Sequence, residues 1–191
     1  MKKLYLVLIC LTLAAVLTAC SGEPAAPDSG STAGVSSVAD KPSGNAMITA
    51  EDITLTGDQM GQMNIELINA GGLDKYGNGK MAGFQFYIKY DPAVLTLIEA
   101  ELALDNANEK NNWQLSYSDK GNGSATVMIM DDKLTGLAAD SIPLVTLYMQ
   151  AVNGATGPAK IDFELETVCD STGNSEVAEY ISGGSAAVTI E

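Results

Sequence analysis

From Met81 onward the chain alternates. Ala82, Phe84, Phe86, Ile88 and Tyr90 form one row; Met81, Gly83, Gln85, Tyr87 and Lys89 form the other. A period of two places each row on its own face of a β-strand. The first row is large and apolar, so it faces a core. Asp91-Pro92 ends the strand, because proline fixes φ and lacks the N–H that a ladder needs. A second apolar run begins at Val94. Two runs hinged at an Asp-Pro corner predict a chain that passes from one sheet to another.

The rest of the chain orders itself around this element. Met47 to Thr56 alternates and is the first expected strand, with a turn at Gly57-Asp58. Met60 to Ile68 is the second, with Met63, Ile65 and Leu67 on one side. The glycine-rich stretch Asn69 to Lys80 has no place in a ladder and is expected as a loop. Met81 to Tyr90 and Val94 to Leu102 are the third and fourth strands. After a polar loop, Trp113 to Tyr117 is the fifth. Lys120-Gly121-Asn122-Gly123 joins it to the sixth, Ser124 to Met130. Asn-Gly between two alternating runs is a strong hairpin signal, because both residues accept positive φ. In the sixth strand Val127 and Ile129 oppose Thr126, Met128 and Met130.

Asp131 to Ser141 is expected as a loop with one short helical turn. Pro143 to Val152 is a long strand. Past a turn at Ala155 to Pro158, Ile161, Phe163 and Leu165 alternate with Asp162, Glu164 and Glu166. A loop, a weak segment and a last strand, Ala187 to Ile190, complete the pattern. No long amphipathic helix is present. Eight or nine strands separated by Gly, Asn and Asp turns, about nine in all, predict an all-β, antiparallel two-sheet sandwich.

The first 45 residues follow a different logic. Lys2 and Lys3 precede a nearly unbroken apolar run from Leu4 to Val16, and Leu17-Thr18-Ala19-Cys20 follows. That is the pattern of a lipoprotein signal peptide, too short for a spanning helix. Residues 1–19 are expected to be removed, leaving Cys20 as the lipidated N-terminus. Several acyl chains then anchor the protein, since one holds only marginally. Residues 20–45, rich in Ser, Gly, Ala and Pro, are expected to be a tether. Residues 46–191 are the size of one domain. The protein is thus expected to be exported and lipid-anchored to the bacterial cell membrane, facing outside.

Composition narrows the chemistry. The sequence has no histidine, and its ten basic residues are all lysine against 24 carboxylates. Loss of Lys2 and Lys3 with the signal takes the formal charge from −14 to about −16. Nucleic acid and anionic headgroups are poor partners for such a surface. Histidine-based acid–base catalysis and histidine metal sites are excluded, as is an arginine grip on phosphate. Of three cysteines, only Cys169 lies in the domain, so no disulfide can form within it. Cys169 is expected to be a buried small hydrophobe.

With the strands placed, the stretch AGFQFYIKYDPAVLTLIEAEL (Ala82 to Leu102) resembles the third and fourth strands of cohesin domains. These are the receptor modules that bind dockerins in cellulosome-type assemblies. Tyr117-Ser118-Asp119, Ala125 to Asp132 and the segment LVTLYMQAVNGATGPAKIDFE extend the likeness over about Met47 to Ile190. The resemblance implies a flattened jelly-roll sandwich without catalytic activity, one flat face of which docks a dockerin-bearing protein. A secreted glycoside hydrolase is the candidate bearer. That face is built in the family from the third, fifth and sixth strands and the strand before the late turn. Matched residue by residue, the contact positions are Gly83, Gln85, Tyr87, Tyr117, Met128 and Asp131. Some members carry Asn and Asp at the positions of Gly83 and Gln85, which leaves the dockerin class open. The resemblance also implies that the obligate calcium belongs to the dockerin, with no cofactor or metal on this chain.

The alternation points to the same face independently. Gly83, Gln85 and Tyr87 point away from the core row, as do Met128 and Met130. Two methionines and a tyrosine ringed by acids on an outward sheet face make an interaction patch. The alternative reading is a carbohydrate-binding module using Trp113, Tyr117 and Tyr87 as a sugar platform. Enzymatic glycoside hydrolysis would need a carboxylate pair across a cleft, for which Asp131-Asp132 is the nearest approach. Asp74 to Gly79 and Asp170 to Asn174 only faintly echo a calcium loop and are read as turns.

Overall fold

The computed structural model describes residues 46–76, 79–104 and 112–191. These residues form β1 (Ala46–Ala50), β2 (Ile53–Leu55), β3 (Met60–Ile68), β4 (Met81–Lys89), β5 (Leu95–Leu102) and β6 (Trp113–Asp119). β7 (Ser124–Asp131), β8 (Ile142–Ala151), β9 (Gly157–Asp170), β10 (Ile181–Gly183) and β11 (Ser185–Ile190) complete them. One sheet has the order β10-β1-β3-β8-β5 and the other β2-β11-β9-β4-β7-β6. The architecture is the expected two-sheet sandwich.

Alternation explains the packing. Ile48, Met63, Ile65, Leu67, Leu147 and Met149 project from the five-stranded sheet, each no more than 1% exposed. Phe84, Phe86, Ile88, Val127, Ile129, Ile161, Phe163 and Val188 meet them from the six-stranded sheet, each no more than 2% exposed. Burying each such side chain contributes about 1.5–3 kcal/mol relative to leaving it in water. The corner at 91–94 carries the chain between the layers. Asp91 O accepts from the Val94 and Leu95 amides at 3.2 and 3.0 Å, and Asp91 Oδ1 accepts from the Ala93 amide at 2.8 Å. β4 therefore lies in one sheet and β5 in the other, as the Asp-Pro hinge predicts.

The differences from expectation concentrate at the two ends of the domain. The single first strand is two. β1 pairs with β3 and, in parallel, with β10; β2 pairs in parallel with β11. The break falls at Glu51 and Asp52, where Asp52 Oδ1 accepts from the Ala187 amide at 2.7 Å. Alternation runs on through a sheet change, so the pattern could not reveal it. The weak segment holds a 3-10 helix, Glu176–Tyr180, and then β10. The glycine-rich loop holds another, Ala70–Tyr76, and Tyr76 and Tyr180 stack with ring centroids 3.4 Å apart. The segment after β7 has no helical turn. It is fixed instead by mutual 2.8 Å hydrogen bonds between the backbones of Leu137 and Met81.

Candidate functional site: the outward face of the six-stranded sheet

Directly opposed residues of an antiparallel ladder share a face, so register lays out this surface. One row runs Gln114, Met130, Gly83, Cys169. The next runs Ser116, Met128, Gln85, Thr167, and the third Ser118, Thr126, Tyr87, Glu164. Below them lie Ser124, Lys89, Asp162 and Ser185. Four strands, β6, β7, β4 and β9, supply the first three rows.

The centre of this grid is apolar. Met128 and Met130 are 39% and 47% exposed, although neighbouring Val127 and Ile129 are sealed in the core. Gly83 lies between Met130 and Cys169 in the top row. A Cβ at Gly83 would come within 2.9 Å of Cys169 Sγ, so glycine is what lets the cysteine lean across β4. Cys169 is half-buried rather than sealed. Burial, and then the charge of Asp170, push its thiol pKa up, so it is a poor nucleophile.

Charge enters along the lower rows. Lys89 Nζ donates to Ser124 Oγ at 3.1 Å, lies 3.5 Å from Glu164 Oε2, and sits 5.0 Å from the Tyr87 ring centroid. Lys160 Nζ pairs with Asp162 Oδ1 at 2.5 Å. The Glu166 carboxylate, with a smaller contribution from Glu164, raises the pKa of the Tyr87 hydroxyl. At the opposite corner Gln114 Nε2 donates to Asp132 Oδ2 at 2.7 Å.

Of the seven contact positions expected from the sequence, Gly83, Gln85, Tyr87, Met128 and Met130 lie on this face. Tyr117 and Asp131 do not. Tyr117 opposes Val127, in the inward row with Trp113 and Leu115, and its hydroxyl is buried without a hydrogen-bond partner among the described residues. Burial, and then Asp119 and Tyr90, raise its pKa. The parity of β6 follows from Trp113, which is 5% exposed. Counting from that buried residue puts Gln114, Ser116 and Ser118 outward. Those are the β6 positions that matching by resemblance missed.

Asp131 is 0% exposed. Its carboxylate accepts from the amides of Lys133, Thr135 and Gly136 at 2.9, 2.8 and 2.9 Å and from Thr135 Oγ1 at 2.7 Å. It ties down the loop after β7 and has no surface to offer a partner. The same bonding removes Asp131-Asp132 as a carboxylate pair for hydrolysis. The strand before the late turn is β8, which belongs to the opposite sheet; β9 takes its place beside β4. The three aromatics of a sugar platform are not assembled either. Trp113 packs inside against Phe84, with centroids 6.4 Å apart, Tyr117 faces inward, and only Tyr87 is on the surface.

Among the described residues no group of three or more Cys, Asp or Glu side chains is placed to hold a metal ion. Asp170 Oδ1 accepts from the Thr172 amide and hydroxyl and from the Asn174 amide at 2.8, 2.6 and 3.0 Å, which is turn chemistry. Positions 77 and 78 of the other calcium-like stretch lie outside the described residues, as does Cys20.

No family model matches the chain, and no curated protein sequence does. Solved structures do. The cohesin of a type I cohesin–dockerin complex from Clostridium thermocellum is 17% identical, covers 77% of this chain and 99% of that one, and has a TM-score of 0.59. The non-cellulosomal cohesin of the hyperthermophilic archaeon Archaeoglobus fulgidus is 16% identical over 77% of this chain and 91% of that one, with a TM-score of 0.57. A cohesin module of a family 33 glycoside hydrolase from Clostridium perfringens is 15% identical over 78% and 96%, with a TM-score of 0.58. At such identities the likeness is one of fold: the domain has the jelly-roll sandwich of cohesin modules.

Proposed function

We propose that this chain is a non-catalytic receptor module that binds a dockerin-bearing protein through the outward face of β6-β7-β4-β9. A lipid at Cys20 holds it to the cell membrane, facing outside. The observation that carries the reading is the exposed pair Met128 and Met130 beside Tyr87, at the middle of a sheet face otherwise polar. Such a cluster has the form of an interface centre, an apolar anchor ringed by polar and charged side chains. Among proteins of this fold, the Clostridium thermocellum cohesin was solved in complex with a dockerin. A hydrogen-bonded sheet also suits rigid docking, since little backbone order is lost on binding. The bearer of the dockerin is proposed to be a secreted enzyme such as a glycoside hydrolase.

The test is calorimetric titration against a panel of recombinant dockerins, with calcium and then with EDTA. Binding in calcium that is lost in EDTA is expected, because the dockerin needs its ion to fold. Failure of every dockerin to bind in calcium overturns the reading.

A further inference from the structure

We propose that Glu166 selects the partner, answering a lysine or arginine that the docked dockerin places beside Tyr87. The inference rests on the docking reading above and names the chemistry that reading leaves open. It begins with a defect in the ladder. Between β4 and β9, Gln85 faces Thr167 and Phe86 faces Leu165, so Glu166 is an extra residue in a β-bulge. A bulge re-aims side chains. Here Leu165 and Val168 keep to the inner face, while Glu166 and Thr167, consecutive in sequence, are both exposed. The bulge therefore inserts a carboxylate between the Gln85–Thr167 row and the Tyr87–Glu164 row, on the β9 side of the face and next to Tyr87.

Glu166 also differs from its neighbours in partnership. Glu164 lies 3.5 Å from Lys89 Nζ, and Asp162 lies 2.5 Å from Lys160 Nζ. Glu166 has no ion pair among the described residues; its carboxylate accepts only from the neutral Tyr87 hydroxyl, which leaves its charge unbalanced. Its nearness to Tyr87 is felt by the phenol, whose pKa it raises more than any other group does. Docking takes this carboxylate out of water, and an uncompensated charge at an interface is unfavourable. A partner cation relieves that cost, whereas a partner carboxylate adds repulsion. The one residue thus both attracts and excludes.

The experiment is a display library on a calcium-loaded dockerin scaffold whose helix-surface positions are randomised, panned against the full chain. Binders are expected to share Lys or Arg at one position and to lose about tenfold in affinity against Glu166→Gln. Glu164→Gln, at a residue already paired, is expected to cost less than about threefold. Panning against Glu166→Lys is expected to enrich Asp or Glu at that same position. Binders that lack a shared basic residue, or that ignore Glu166→Gln, overturn this inference and leave the docking reading standing. Recovery of no dockerin against any version overturns both.

Discussion

Asp131 is the residue whose chemistry and position are most at odds with its place at the end of an outward-looking strand. Burial alone would raise its pKa. Four hydrogen bonds to the ionised form outweigh that and hold it below the usual carboxylate value. A depressed native pKa means that the unfolded chain takes up the proton first as pH falls. The stabilisation is therefore complete well above 3.8, the ordinary value, and is lost as pH drops from there through the native pKa. Asp131→Asn is expected to cost about 1–3 kcal/mol at neutral pH. In urea denaturation the gap from wild type should close as pH falls below about 4. A gap of the same size at pH 7 and at pH 3 would count against the assignment. The face itself is tested by parity. Tyr87→Ala and Met128→Ala are expected to weaken dockerin binding by about 1–3 kcal/mol while melting stays near wild type. Phe86→Ala, one position from Tyr87 but 0% exposed, is expected to cost about 3–5 kcal/mol of stability. Equal loss of melting temperature in all three would remove the distinction between faces. Parity made the face of five expected positions legible in the sequence, because alternation in β4 and β7 is unambiguous. Matching by resemblance, not parity, misplaced Tyr117 and Asp131. A tyrosine satisfies either side of a strand, and a carboxylate reads as solvent-facing unless the donors of the next turn are known.

At the scale of elements, interior strands were the legible ones. β3 has the bounds its alternation predicts, Met60–Ile68, and β4, β7 and β8 differ from expectation by about a residue at an end. β1, β2 and β10, of five, three and three residues, are too short for a period of two to identify. What defines them is sheet exchange. β10 lies in the five-stranded sheet and β11 in the six-stranded one, with Gly183 and Gly184 at the crossing. There the Gly184 amide donates to Ile48 O at 2.8 Å, and the Phe163 amide donates to Gly184 O at 2.9 Å. A Cβ on Gly183 would lie 1.7 Å from Phe163 O, a backbone atom that cannot swing aside. Gly183→Ala is therefore expected to cost about 3 kcal/mol through forced separation of β10 from β9. Gly72→Ala, where an added Cβ meets nothing within 4 Å, is expected to stay within about 0.5 kcal/mol of wild type. Denaturant midpoints of the two variants decide it: similar midpoints would mean that the crossing yields without strain.

For the whole molecule, the question is whether holding a membrane and holding a partner interfere. The described chain enters the domain at Ala46, in β1, and β1 belongs to the five-stranded sheet. The patch of Met128, Met130 and Tyr87 belongs to the six-stranded one. The described residues thus begin in the layer that does not carry the patch. If the proposed signal is removed, the formal charge near −16 disfavours anionic headgroups, so on this proposal attachment rests on the lipid at Cys20. Anchoring and docking should then separate cleanly. Cys20→Ser is expected to abolish incorporation of radiolabelled palmitate and to move the protein from the detergent phase to the aqueous phase. Its dockerin affinity and melting temperature are expected to stay at the wild-type values. If Cys20→Ser protein still fractionates with membranes, the lipobox reading of Leu17 to Cys20 is wrong. If it leaves the membrane but loses dockerin affinity, the two functions are coupled through a surface that the sheet order does not reveal.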